Sequence, residues 1–516
     1  MENKHMMTID TYRGYIRNWR TLCSELDIGM EDRNAREREI LVRGYEKWGE
    51  SIYEHLNGSF AFVLRDTETG ALYGLRDPFG TRSFYYYRAE DGRLLCGTSI
   101  QEVLDQGGVR KELNEDMLQL YLSLTYTAGE DTFYRGLKKL MPGHYLTWTG
   151  EKLTITKYWT PQFNPDEEKS LEEWADEIHH TVEECVSDNI EEGEYAESFL
   201  SGGVDSSYMA AMSRHVTVTN SASFEDPQFD ESGLAAQTAA CLGKESRRCV
   251  IGPDEYFKAV PRVIRWLEQP LGDASTIALA ISCESVKKHT DICYSGEGVD
   301  EFYGGYRAYK NAEKYGETVR THYVGNTNIM KEEEKKNLLK RYNPSVLPIM
   351  LTDAVYKDLK TQDPLSWMMA VDISIWLEGD IYFAIDKLGL GTGLEVRMPL
   401  TDLRMFDIAS RLPSRYKVTQ DADKIAFRHA AAKALPDEVA FRTKMGFPVP
   451  IRKWLATEQF LKDIRTRFES EDAALYFHPE KLQALLDAFT GGEEALWRKI
   501  WTIYVFLVWY DECFKA

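Results

Sequence analysis

From Phe60 to Tyr87 the chain runs FAFVLRD, TETG, ALYGLRDPFG and then SFYYY, short apolar stretches parted by Asp and Gly turns. Runs of that length between turn residues predict consecutive antiparallel strands, so residues 1–157 read as a smaller α+β domain. The segment KYWTPQFNPDEEKS, from Lys157, loses periodicity and gathers two prolines and a charge cluster, which places a linker at residues 158–170. Beyond it, LEEWADEIHHTVEECVSDNI from Leu171 carries apolar residues at helical spacing. His179 and His180 are adjacent there, point to different faces, and read as surface polar positions. The strand-like runs EYAESFL, TVTNSASF and DICYSG then alternate with helical stretches, and from about Ala308 onward the pattern is mostly helical. Such alternation argues for an α/β domain over residues 171–516, a parallel sheet with crossover helices and a largely helical C-terminal part.

The apolar run IWTIYVFLVWY, from Ile500, spans eleven residues between Lys499 and Asp511, too short to cross a bilayer and suited to a buried terminal helix. A chain of 516 residues with 43% hydrophobic and 28% charged residues has the size and composition of a two-domain globular protein. The net charge of −21 argues against a broad surface for a nucleic-acid backbone. Eight cysteines are scattered without a CxxC pair, and the opening MENKHMMTIDTYRG has no signal-peptide core, so reduced thiols and a cytoplasmic location are expected.

Chemistry concentrates in FLSGGVDSSYMAAM, from Phe199. A strand ending in Gly-Gly and opening a helix leaves backbone N–H groups unpaired where the helix dipole favours negative charge, which makes an anion seat. Gly202 and Gly203 permit close approach of an oxyanion, and Ser201, Ser206 and Ser207 add hydroxyls. Asp205 would repel a phosphate unless a cation such as Mg²⁺ lies between them, so a metal–pyrophosphate complex is expected. A strand–helix turn capped by Ser and Asp, with no ligand, is the alternative. The Walker loop is absent. A second stretch, CYSGEGVDEFYGGY from Cys293, again puts Ser-Gly after an apolar strand, followed by Glu297, Asp300 and Glu301. Carboxyl ends of neighbouring parallel strands meet at one crevice, so both loops can face one ligand, with Asp205 and Asp300 at Mg²⁺.

The ordered motifs SGGVDSS, SGEGVDEFYGGY, GLEVRMPLTD from Gly393 and RTKMGFPVP from Arg442 resemble the asparagine synthetase family, PP-loop ATP-pyrophosphatases that adenylate a carboxylate. GSFAFVLRD and LRDPFGTRSFYYY resemble that family's N-terminal glutaminase domain. The resemblance implies ATP contacts at Leu200, Ser201, Gly202, Gly203, Asp205, Ser206, Ala222, Ser295 and Gly296, with Mg²⁺ at Asp205 and Asp300. It also implies catalytic roles for Glu395 and for Lys444, the latter steadying charge as an acyl-adenylate forms and is attacked. For Glu395 an ion pair with Arg397 or Arg404 stays open beside that role. The implied partners are a small-molecule carboxylate and ammonia or an internal amine, with neither nucleic acid nor membrane; a homodimer is the one assembly entertained.

The family's glutaminase uses an N-terminal cysteine, whereas this chain opens MENK and its earliest cysteine, Cys23, lies in YIRNWRTLCSELD, read as an amphipathic helix. Arg13, Gly14 and Tyr15 stand in place of the family's Asn-Gly-Glu, which changes both side chains expected to hold glutamine. The opening strands of that domain are expected to be missing and glutamine hydrolysis to fail. β-Lactam synthetases and lasso-peptide cyclases are similar relatives with an inactive first domain. In the former a Tyr–Glu pair deprotonates the amine, and Tyr356 lies upstream of Glu395 at a loosely suitable distance.

Overall fold

The computed structural model describes residues 7–29, 32–443 and 446–515. The chain forms two compact units, one made of residues 1–114 and 129–161, the other of residues 115–128 and 162–516. The helix Glu115–Leu124 therefore belongs to the second unit, although the chain on either side of it builds the first. Every residue of Met117–Leu124 is buried. Tyr121 donates its hydroxyl to the Thr502 carbonyl at 3.0 Å, and the Gln119 amide donates to the carbonyls of Asn343 and Val346 at 2.9 and 2.6 Å.

In the first unit the strands β1 (Met7–Ile16), β2 (Gly58–Asp66), β3 (Leu72–Arg76), β4 (Tyr85–Arg88), β5 (Leu94–Gly97), β6 (Leu137–Lys139), β7 (His144–Trp148) and β8 (Leu153–Lys157) form two antiparallel sheets. One has the order β1-β2-β3-β7-β8, the other β5-β4-β6. The run read as a helix from Tyr15 divides: Tyr15 and Ile16 close β1, which pairs with β2, and the helix is confined to Trp19–Leu26. β1 carries Gly14 itself. Alternation in TYRGYI overrides helical propensity here, because Gly14 lies against the Ser59–Phe60 backbone with no room for a Cβ. Cys23 is buried in this unit's core.

In the second unit β9 (Ala196–Phe199), β10 (Val218–Phe224), β11 (Glu245–Ile251), β12 (Ile292–Tyr294) and β13 (Glu395–Arg397) form one parallel sheet, order β11-β10-β9-β12-β13. The order reverses direction between β9 and β12, so the carboxyl ends of these two central strands flank the crevice where ligands of open α/β sheets bind. The helix Leu171–Ser187 starts on a capping box, with Ser170 and Glu173 satisfying each other's backbone N–H groups. His179 bonds the Tyr208 hydroxyl at 2.7 Å, while His180 is exposed. Helices fill most of the chain after Val299, and the last long one, Trp497–Trp509, is buried from Ile500 to Trp509. Among the described residues no helix is long and apolar enough to cross a membrane.

Candidate active site

β9 ends beside β10, with the Leu200 N–H donating to the Asn220 carbonyl at 2.8 Å. Ala222 lies two residues further along β10, level with Cys249 of β11. The chain then turns through Gly202 at φ +82°, where a Cβ would stand 3.1 Å from the Ala235 nitrogen, and enters the helix Val204–Met212. No side chain fits that turn without strain. The serine hydroxyls are turned inward on the loop. Ser206 Oγ accepts from the Ser201 N–H at 3.1 Å and lies 3.0 Å from Ser201 Oγ, which in turn accepts from the Gly203 N–H at 3.3 Å. These are local side-chain bonds within one turn.

β12 leads into the second corner. The Ser295 N–H continues the ladder to the Arg397 carbonyl at 2.9 Å. A Cβ on Gly296 would lie 3.0 Å from the Ser206 nitrogen and 3.1 Å from the Asp205 carbonyl carbon, so this glycine lets the two corners touch. Gly298, at φ +95°, sits against Thr401 and Tyr382. Thr401 Oγ1 donates to the Glu297 carbonyl at 3.0 Å, and Ser295 Oγ donates to Glu297 Oε1 at 3.1 Å. Glu297 thus lies within the second corner.

Asp205 and Asp300 converge on one point, and the ammonium of Lys424 occupies it, 2.6 Å from Asp205 Oδ2 and 2.8 Å from Asp300 Oδ1. Lys424 is buried, at φ +50°, immediately before the helix Ile425–Ala431. Left-handed backbone in a residue with a long side chain is uncommon and clusters at functional sites. Gly305 covers the triad, since any Cβ there would collide with Asp300 Oδ1 and Lys424 Cε. Two carboxylates that share one cation are spaced to share another. Mg²⁺ takes one or two carboxylates and completes its shell with water and phosphate, so this pair fits it. Among the described residues no group of three or more His, Cys, Asp or Glu is arranged for a metal.

The remaining expected residues separate. Glu395 opens β13 opposite Ile292, the first residue of β12, and so stands at the amino end of the sheet, away from Ser295 and Gly296. There Arg397 Nε bonds Glu395 Oε1 at 2.7 Å, and the same buried guanidinium grips both Glu194 oxygens at 2.8 Å and the Asn189 carbonyl. Lys444 lies outside the described residues. Arg442, in the same motif, bonds the Gly202 carbonyl at 2.8 Å and thereby ties that segment to the first corner. Tyr356 gives its hydroxyl to the Tyr323 carbonyl at 3.1 Å. Lys424, Arg442 and Glu297 escaped the sequence reading as site residues, although Glu297 carried a signal: a carboxylate between two loop glycines.

Beside the second corner lies a set of buried carboxyls. Tyr306 donates to Glu301, and Asp372 Oδ2 accepts from Tyr323 at 2.5 Å, Tyr309 at 2.7 Å and Asn326 at 3.2 Å. Burial pushes Asp372 up to about 7 against those hydrogen bonds. Burial raises Glu301 and Asp380 too, reinforced by Asp300 for the former and by Asp273 and Glu301 for the latter. A carboxyl raised in the folded state keeps its proton after the unfolded chain has lost it. Its contribution is complete below the ordinary carboxyl value and disappears as pH climbs through the folded one. Stability is therefore expected to decline from about pH 4 to about pH 7 through Asp372. Asp372→Asn, which cannot ionise, should flatten that slope in urea midpoints taken across the interval; an unaltered slope would show that Asp372 does not titrate there.

The parallel sheet whose two central strands end in touching serine–glycine corners, with paired carboxylates at their junction, belongs to a carbon–nitrogen ligase that uses ATP, the class its relatives define. The chain belongs to the asparagine synthase family, whose model matches residues 177–511, and a glutamine amidotransferase domain model matches residues 1–159. It is 30% identical to the glutamine-hydrolyzing asparagine synthetase 1 of Bacillus subtilis (strain 168), over 97% of this chain and 85% of that protein. A relative from Mycobacterium tuberculosis (strain ATCC 25618 / H37Rv) is 28% identical over 97% of this chain and 83% of its own. The glutamine-hydrolyzing asparagine synthetase 3 of Bacillus subtilis is 25% identical over 88% and 78%.

Proposed function

We propose that the chain adenylates a carboxylate with ATP, releases pyrophosphate, and lets an amine displace AMP to leave an amide. Aspartate, activated at its β-carboxylate, and ammonia are the default pair, giving asparagine. The observation that carries this reading is the meeting of the two corners at Gly296 with Asp205 and Asp300 on one cation. Backbone N–H groups and hydroxyls of Ser201, Gly202, Gly203, Ser206, Ser295 and Gly296 would take phosphate oxygens, and Leu200 and Ala222 would border the nucleoside. Mg²⁺ bound by Asp205 and Asp300 would neutralise charge on the departing pyrophosphate. Lys444 is assigned to charge on the acyl phosphate by its motif. Of the two glutamates, Glu297 is the better candidate for contact with the reacting groups, because it shares the loop with Ser295, whereas Glu395 serves as a strut for Arg397.

The protein's contribution is placement and charge neutralisation, as in other phosphate chemistry. Residues 1–157 are read as a glutaminase-like domain without glutamine hydrolysis, given Arg13 and Tyr15 in place of the family's glutamine contacts; residues 158–170 are read as the linker and residues 171–516 as the ligase. Release of AMP and pyrophosphate in equal amounts is expected with aspartate and ammonium. Absence of both products, from folded protein that binds ATP, would move the reading to ring closure by an amine within the substrate. Silence toward Mg-ATP in titration calorimetry would leave a scaffold.

A further inference from the structure

We propose that Lys424 is a resident counterion that keeps free divalent metal out of the Asp205–Asp300 pair, so that metal enters only together with nucleotide phosphate. The inference rests on the nucleotide-ligase reading and adds an order of binding to it. Both ammonium contacts, 2.6 and 2.8 Å, are charge-assisted distances. With the ammonium present, the two carboxylates and the lysine carry a net charge of −1, where the bare pair would carry −2. A lone hydrated dication therefore meets a half-neutralised site and must evict a group already seated.

Eviction is restricted by how the lysine is held. Its backbone is fixed by the Arg428 N–H, which donates to the Lys424 carbonyl at 2.8 Å, and by the Ile425 N–H bond to the Lys417 carbonyl at 3.1 Å. Its stem lies under Gly305, and the whole residue is buried. The side chain is 2% exposed, so an ammonium displaced by a metal at the carboxylates needs another anion close by. Phosphate oxygens held by the touching corners supply that anion. Metal and nucleotide should then favour each other reciprocally, through one side chain that either partner alone leaves in place.

The test uses Mn²⁺ as the probe on the full chain, read by the electron paramagnetic resonance of free Mn²⁺ and by the thermal midpoint. Wild-type protein is expected to take up little Mn²⁺ alone and to bind it saturably with the α,β-methylene analogue of ATP. Lys424→Gln, similar in length and uncharged, should bind Mn²⁺ without nucleotide about tenfold or more tightly than wild type, within the usual span of coupling between sites. Equal Mn²⁺ affinity in the two proteins, without nucleotide, would overturn the inference. Should Lys424→Gln not fold, wild type decides: Mn²⁺ uptake as strong without the analogue as with it would also overturn it. Failure of the wild type to bind the analogue would instead strike the nucleotide reading, while the metal-alone comparison still reports on Lys424.

Discussion

Asp205→Asn and Asp300→Asn are each expected to lower AMP formation by about a hundredfold or more, the scale seen when one preorganised charge partner is removed from a developing anion. Each variant deletes one of the two oxygens that meet at Lys424, so each removes half of the carboxylate pair that converges at the touching corners. The effect should fall on turnover with Mg-ATP rather than on folding, because asparagine still accepts a hydrogen bond from the ammonium. Radiolabelled ATP conversion, with thermal midpoints as the control, measures it. Full activity in either folded variant would remove that carboxylate from the reaction and, with it, the reading of the junction as a metal and phosphate site.

Arg397→Met should produce the largest loss of stability, about 3–5 kcal/mol in urea unfolding, the usual cost of removing one partner from a buried ion pair. Its guanidinium, 3% exposed, serves Glu194, Glu395 and the Asn189 carbonyl together. Methionine fills the volume but leaves these acceptors facing apolar surface. Glu395→Gln should cost far less, since its side chain is 30% exposed and a glutamine oxygen still accepts from Arg397. AMP formation by Glu395→Gln is expected to stay near wild type, and by Glu297→Gln to fall. The reverse pattern would return Glu395 to the reacting centre.

These two pairs of residues mark how far the sequence could be read. The serine–glycine corners were legible because strand, glycine and helix are contiguous, and the physics that suits such a turn to an anion acts over a few residues. Lys424 was illegible for the opposite reason: it reaches Asp205 across 219 positions, and nothing in QDADKIAF marks its ammonium as buried. Motif order says nothing of which end of a strand Glu395 occupies; the register with Ile292 shows the end, and its bond to Arg397 is the ion pair that the sequence had left open beside a catalytic role. Only Tyr15 and Ile16, the end of β1, lay in the run read as a helix, and pairing with β2 decided those two. The acid set at Glu301, Asp372 and Asp380 draws on separate segments and has no local signature.

The helix Glu115–Leu124 carries a consequence for how the molecule is made. Its apolar face emerges from the ribosome early, yet Tyr121 waits 381 residues for the carbonyl of Thr502. At synthesis rates of about 5–20 residues per second the nascent chain displays that sticky surface for roughly 20–80 s. Chaperone attendance on the half-made polypeptide, and aggregation when translation is forced without it, are what this interleaved layout entails.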